Sequence, residues 1–173
     1  SVEWLKYEFN AFAENKAQVA LKWEKLSIPF TIETDYVNDQ LESFRKELRQ
    51  EKGFTWESWN MAANWCLQRN VNLGQALAWA DSANSPTFGG DRIFATYTVK
   101  AALLRKMGKQ EEAAQLMQKG LPLASMQEVH NYGRQLLQQK QQAAALEVFK
   151  QNLKAHPGQF TTLVGMCRGL SAN

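Results

Sequence analysis

The chain has 173 residues, of which 45% are hydrophobic and 21% are charged, and its formal net charge is +3. This length and composition suit a soluble globular protein of one domain, or of a small domain with an appendage. No run of Lys and Arg is present, which excludes the electrostatic footprint of a nucleic-acid-binding protein. No apolar stretch approaches the roughly 18–20 residues needed to cross a bilayer, and no signal peptide is present. Because the chain starts at Ser1 rather than Met, the removal of an upstream segment stays open.

Residues 1–34 have the period-two pattern of β-strands. The alternating apolar positions are Leu5, Tyr7 and Phe9, then Ala17, Val19, Leu21 and Trp23, and finally Ile28, Phe30 and Ile32. A polar break at Asn10–Lys16 is expected to separate the first strand from the second. Pro29 cannot donate a ladder hydrogen bond, so the third strand is predicted to lie at an edge. The pattern predicts a small antiparallel sheet with one apolar face.

From Asp35 onward the apolar period becomes that of a helix. Asp35 is a suitable N-cap, and Gly53 suits the left-handed residue after a last helical turn. Eight helices are predicted, over residues 35–52, 56–69, 73–84, 92–107, 110–121, 126–139, 142–155 and 159–171. The predicted fold is mostly α, or α+β overall, and it has three parts. These are a β-segment at 1–34, a connecting helix at 35–54 and an array of antiparallel helix hairpins at 55–173.

Local capping signals accompany these helices. Capping-box spacing occurs twice, in Asn72 with Gln75 and in Ser125 with Glu128. The remaining signals are a Thr55 N-cap flanked by Phe54 and Trp59 as a hydrophobic staple, an Asp91 N-cap after Gly89–Gly90, and a helix end at Gly108.

A 32-residue repeat runs through the helices. The pattern Gly133, Ala145, Phe149 and Pro157 occurs 32 residues earlier as Ala101, Ala113, Met117 and Ser125, and Gly108 corresponds to Lys140. This period with paired helices resembles the tetratricopeptide repeat, best over 126–157, less well over 92–124 and loosely over 56–86. The resemblance implies that Gly133 packs against Ala145 and that Phe149 fills the groove to the next unit. A fourth unit is expected to place its small residue at Cys167.

A second resemblance covers the whole chain. The run EWLKYEF, then VALKWEKLSIPFTIETD, then WNMAANWCLQRNVNLGQALAWADSA is similar to the C-terminal part of a bacterial family known as domain of unknown function 2911. This resemblance implies that residues 1–34 are the last strands of a β-sandwich whose earlier strands lie upstream. It also implies an exported protein, periplasmic or secreted. The family carries no established activity, so no catalytic residue is transferred.

No motif for catalysis or metal binding is present. His130 and His156 lie 26 residues apart, without HExxH, CxxC or GxSxG. Cys66 and Cys167 fall in predicted helices among apolar neighbours, and we interpret both as buried thiols. The four tryptophans Trp56, Trp59, Trp65 and Trp79 form either an aromatic pocket or, as we prefer, a structural joint between the strand region, helix 35–52 and the repeats. We therefore predict no catalytic residue, no metal and no cofactor, and hence no enzyme.

The best functional candidate is a helix face. In tetratricopeptide arrays the first helices of the hairpins line a concave groove that holds extended peptides. The corresponding positions here are Asn60, Asn64, Thr98, Arg105, Lys106, His130, Arg134 and Gln138. Arg105, His130 and Arg134 together would make a mildly basic groove suited to carboxylates. The alternative is that all of these are solvated helix residues, and the full carboxylate-clamp pattern is absent.

The preferred interpretation is a non-enzymatic interaction or scaffold module that binds a peptide or protein on its helical repeats. One alternative is a support domain for a ligand-binding or enzymatic β-sandwich upstream, and another is a structural self-assembly module. The strand region is expected to pair with an upstream β-segment or with a second copy, the strand at 2–9 being the better edge for augmentation.

Overall fold

The fold is known from a computed structural model that describes residues 2–13 and 15–172, with side chains from residue 4 onward. The chain forms two compact units, 1–50 and 51–173. The first unit therefore holds the strands together with the helix that follows them. In the part of the chain that the structure describes, no helix is both long and apolar enough to span a membrane.

The first unit begins with an antiparallel sheet of order β1-β2-β3, formed by Val2–Ala13, Lys16–Glu24 and Leu26–Glu33. The predicted break at Asn10–Lys16 is wrong, because β1 continues to Ala13 and β2 already starts at Lys16. An irregularity between Phe9 and Ala11 absorbs one residue, so that Phe12 lies opposite Ala17. The polar residue Asn10 is thus compatible with a continuous strand that contains a bulge.

The pairing register places apolar side chains from all three strands on one face, since directly opposite residues share a face. We call it the apolar sheet face. It consists of Tyr7, Phe9 and Phe12 of β1, Ala17, Val19, Leu21 and Trp23 of β2, and Leu26, Ile28, Phe30 and Ile32 of β3. Its large side chains on β1 and β3 and Trp23 are between 42% and 76% exposed. The opposite face is polar, and there the Glu8 carboxylate lies 3.0 Å from the ammonium groups of both Lys6 and Lys22.

Helix α1, Tyr36–Glu47, completes the first unit. The predicted cap is confirmed, because the Asp35 carboxylate accepts a hydrogen bond of 3.1 Å from the Asn38 backbone N–H. The apolar stripe buries Leu41, Phe44 and Leu48. The prediction that Gly53 ends this helix is wrong, because the helix ends at Leu48 and Gly53 lies in a separate 3-10 turn.

The second unit is built from seven helices within its described residues, and the predicted helix hairpins are confirmed. Short connections join α2 to α3, α4 to α5 and α6 to α7, each pair packs together, and α8 packs on α6 and α7. The bounds are α2 Trp56–Arg69, α3 Leu73–Ala83, α4 Phe94–Lys106, α5 Gln110–Gly120, α6 Met126–Gln138, α7 Gln142–Ala155 and α8 Phe160–Ser171. All seven begin and end within two residues of their predicted limits.

The core of the second unit is centred on Phe149, which is fully buried. A Cβ added to Gly133 would lie 2.5 Å from this ring, and one added to Gly165 would lie 2.7 Å from it. Gly133 thus abuts Phe149, and its expected packing against Ala145 stays a prediction. The small residue of the fourth unit is Gly165, 32 residues after Gly133, and Cys167 is exposed. Phe149 does reach the next unit, as predicted.

Two predicted helix boundaries are confirmed in detail. Gly108 (φ +81°) follows α4, and Lys140 (φ +59°) adopts the same left-handed conformation after α6. Ser125 and Glu128 form the predicted capping box, in which the Glu128 carboxylate accepts from the Ser125 backbone N–H at 2.8 Å.

Three other capping predictions are wrong in detail, although α2 and α3 do begin after Thr55 and Asn72 as predicted. Asp91 lies in a 3-10 turn and the N-cap of α4 is Ile93, while the Thr96 hydroxyl bonds to carbonyls of the preceding loop. Asn72 makes no side-chain cap bond, because its amide donates to the Gln75 amide oxygen instead. Phe54 is exposed rather than stapled to the helix.

Candidate functional site

The first helices of three consecutive hairpins, α2, α4 and α6, line a groove of about 750 Å³ in the second unit. Because the hairpins repeat every 32 residues, equivalent positions of these helices face the same side of the array. The lining residues are Asn64, Leu67 and Gln68 of α2, Thr98, Val99, Ala102, Arg105 and Lys106 of α4, and Gln135, Gln138, Gln139 and Gln141 of α6 and its end. We call this the amide groove.

Five of the eight candidate residues lie in the amide groove: Asn64, Thr98, Arg105, Lys106 and Gln138. Sequence reasoning missed the neighbouring lining residues, such as Ala102 and Gln135. Helical spacing could have found them, because Ala102 is four residues after Thr98 and Gln135 is three residues before Gln138. The groove is therefore richer in side-chain amides than the sequence alone indicated.

His130 does not line the groove, and its expected exposure on that face is wrong. The imidazole is only 6% exposed and lies 5.7 Å from the Phe149 ring centroid. Helix α8 covers it, because Gly165 leaves room for the ring. Burial lowers the pKa of His130 below its ordinary value, and the positive charges of Arg168 and Arg134 lower that pKa further. The Thr161 backbone opposes this shift and raises the pKa of His130.

Arg134 and Asn60 also lie outside the lining. Arg134 is exposed on α6, in the helical turn of the buried His130. Asn60 is half-buried on α2, and its side-chain oxygen is buried without a hydrogen-bond partner. The structure therefore does not bring Arg105, His130 and Arg134 together as one basic surface.

Arg105 is held in place by its neighbours from the next hairpin. Its guanidinium donates a hydrogen bond to the Tyr132 hydroxyl and lies 5.7 Å from the centroid of the same ring. Tyr132 is itself buried, edge-on to Phe94 at 6.1 Å. A guanidinium fixed in this way loses little further side-chain entropy when it binds a ligand.

The amide groove is positively charged. Arg105 and Lys106 contribute two positive charges, and the lining, drawn from the described residues, contains no carboxylate. Within residues 2–13 and 15–172, neither cation forms an ion pair with Asp or Glu. These two side chains remain available for an anionic ligand group.

The amide side chains complete the chemistry of the groove. Each Asn or Gln offers two N–H donors and one oxygen acceptor, the same groups that a peptide backbone needs as partners. Only the Gln68–Asn64 pair bonds within the lining, through a donor–acceptor distance of 3.4 Å between described residues. Leu67, Val99 and Ala102 add an apolar floor. Such a surface can hold an extended chain with limited selectivity for its side chains.

The tryptophan cluster has a structural role in the first hairpin. The Trp59 indole N–H donates to the Gly53 carbonyl at 2.8 Å, and its ring lies 5.5 Å from Phe88. Trp79 is buried. A Cβ on Gly90 would lie 2.8 Å from the Trp56 Cβ. These contacts all lie within the second unit and favour a packing role there over an aromatic pocket, whereas the predicted joint to the strand region stays a prediction.

The two cysteines differ in their burial, and the potential metal ligands of the described residues are dispersed. Cys66 is buried as predicted, but Cys167 is exposed, because its position on α8 points away from Phe149 while Gly165 faces it. Among the described residues, no three His, Cys, Asp or Glu side chains come together as a metal site requires.

Comparison with models of known protein families gives no match to this chain, and comparison with curated proteins gives none either.

Proposed function

We propose that this protein is a non-enzymatic interaction module that binds an extended peptide, or a peptide segment of a partner protein, in the amide groove. The observation that carries this proposal is a groove shared by three helices, with two cations, no carboxylate among its described lining residues and a row of amides. Its volume of about 750 Å³ is in the range of ligand-binding pockets, roughly 300–1,000 Å³.

The proposed binding mode assigns one role to each type of lining residue. Arg105, fixed by Tyr132, and the neighbouring Lys106 bind a carboxylate of the peptide, either at its C-terminus or on an acidic side chain. The Gln138 and Asn64 amides bond to its backbone. The 32-residue repeat and its resemblance to tetratricopeptide repeats support this mode, and the resemblance to the family of unknown function 2911 supports an exported location.

The test uses a fluorescent pool of hexapeptides, randomised except for a C-terminal Asp with a free carboxylate, and anisotropy titrations at low salt. We expect Arg105→Gln to weaken binding about tenfold or more, because a charge-assisted contact to a fixed guanidinium is lost. Added salt should weaken binding to the wild-type chain as well, since the groove is open to solvent.

Arg134→Gln is the matched control, because it removes the same charge from α6 outside the groove. It should change binding by less than about twofold. Equal losses in both variants would point to nonspecific attraction by net charge. An amidated pool with C-terminal Asn that binds as tightly as the acidic pool would contradict the proposed role of Arg105 and Lys106.

A further inference from the structure

We propose that the apolar sheet face is an interface between two copies of this chain, in which the two three-stranded sheets pack face to face. The face is large and exposed. The two outer strands contribute Phe9, Phe12 and Phe30, which are 57%, 76% and 42% exposed. In the helical unit, a cluster of apolar side chains around Phe149 forms a buried core, while Phe160, Leu163 and Leu170 of α8 are exposed.

The exposed area matches what a stable dimer needs. Eight large side chains of the apolar sheet face are each about half exposed. A buried aromatic side chain covers about 150–250 Å², so the five half-exposed rings among them present roughly 400–600 Å² per copy, to which Leu26, Ile28 and Ile32 add. A standard-size protein interface buries about 800 Å² on each partner. Two such faces in contact therefore make an interface of ordinary size.

The edge strands β1 and β3 are less suited to contact with a second copy than the apolar sheet face. β1 carries two irregularities, between Val2 and Lys6 and between Phe9 and Ala11, and such bulges disrupt the ladder of backbone groups that an added strand would need. β3 forms the other edge, and Pro29 at its centre lacks a backbone N–H. The register thus argues against augmentation at the strand 2–9 and in favour of packing through side chains.

A second copy suits this face because the face carries no charge. Every residue that the register places there is apolar, so a two-fold axis between the sheets brings no like charges together. The charged side chains Lys6, Glu8 and Lys22 lie on the opposite face and stay in solvent. Aligned sheets pack about 10 Å apart, and their side chains interdigitate. The small side chains of Ala17 and Val19 leave room for this between their larger neighbours.

The test is sedimentation of the 173-residue chain from about 0.1 to 100 µM, with variants on the two faces of β3. Phe30→Lys places a charge on the apolar sheet face, and Thr31→Lys places the same charge on the opposite face, one residue away. Leu163→Lys serves as a control on the exposed side of α8. Circular dichroism spectra check that each variant is folded.

We expect the wild-type chain, Thr31→Lys and Leu163→Lys to dimerise with dissociation constants within about threefold of one another, and Phe30→Lys to dimerise at least 100-fold more weakly. A folded wild-type monomer at 100 µM would overturn the proposal, whether or not it then binds an added β-segment or neutral lipid vesicles. A dimer that survives Phe30→Lys, or that Leu163→Lys abolishes, would place the interface elsewhere and would also overturn it.

Discussion

The two units of this protein differ in the burial of their apolar side chains. The helical unit buries Phe94, Leu136 and Phe149 in a core formed by its own hairpins. The sheet of the first unit instead leaves a broad apolar face exposed. Stacked hairpins supply each other with partners, whereas a single-layered sheet cannot cover its own apolar face. This contrast is the reason for proposing that a second copy covers the apolar sheet face.

The largest expected effect is a difference in stability between the two units when one phenylalanine in each is replaced by alanine. Phe149→Ala should lower the free energy of unfolding of the helical unit by about 3–5 kcal/mol, because it leaves a cavity between α6, α7 and α8. Phe30→Ala, measured in dilute solution where the chain is monomeric, should lower the free energy of unfolding of the first unit by less than about 1 kcal/mol, because this ring already contacts water. Urea unfolding followed by circular dichroism measures both values. Similar losses would remove the contrast between the units.

A smaller effect sharpens the account of the helical core. Gly133→Ala should destabilise the helical unit by about 1–3 kcal/mol, because its new Cβ would collide with the Phe149 ring. Gly74 lies in α3 with nothing within 4 Å of an added Cβ. Gly74→Ala should therefore be neutral or stabilise the protein by up to about 1 kcal/mol, since Ala favours helices. A stabilising Gly133→Ala would show that Phe149 does not occupy this crossing.

The pH dependence of stability tests the burial of His130 under α8. The folded state lowers the pKa of His130, so the unfolded chain binds more protons just below the ordinary His pKa of about 6.5. The contribution of His130 to stability is therefore complete above that pH and is lost as the pH falls. His130→Gln should flatten the stability profile between pH 7.5 and pH 5, measured by urea unfolding. A His130→Gln profile equal to that of the wild-type chain would contradict this assignment.

Most of the helical architecture could be predicted from the sequence because its signals are local. The Ser125–Glu128 capping box and the left-handed residues at Gly108 and Lys140 depend only on neighbours within one turn. The apolar periods likewise located every helix of the second unit. The bulge at Phe9–Ala11 was missed because polar residues in an edge strand look the same as a loop in sequence.

The groove could be predicted only in part because it depends on which helices become neighbours. Asn64 on α2 and Arg105 on α4 were placed well, whereas Asn60 on α2 lies outside the lining. His130 was misassigned because α8 packs over that side of α6. The same packing assigns the crossing position to Gly165 rather than Cys167. Contacts between units of a repeat are tertiary information that a motif within one unit does not contain.

The most direct test of the contrast between the units is amide hydrogen exchange of the whole chain at about 0.1 µM and at about 100 µM. We predict that the amides of β2 and β3 exchange much more slowly at the higher concentration, because a second copy then covers the sheet. The amides of α6 and α7 should exchange at the same rate at both concentrations. Sheet protection that does not change with concentration would contradict the account, and so would helix protection that rises together with it.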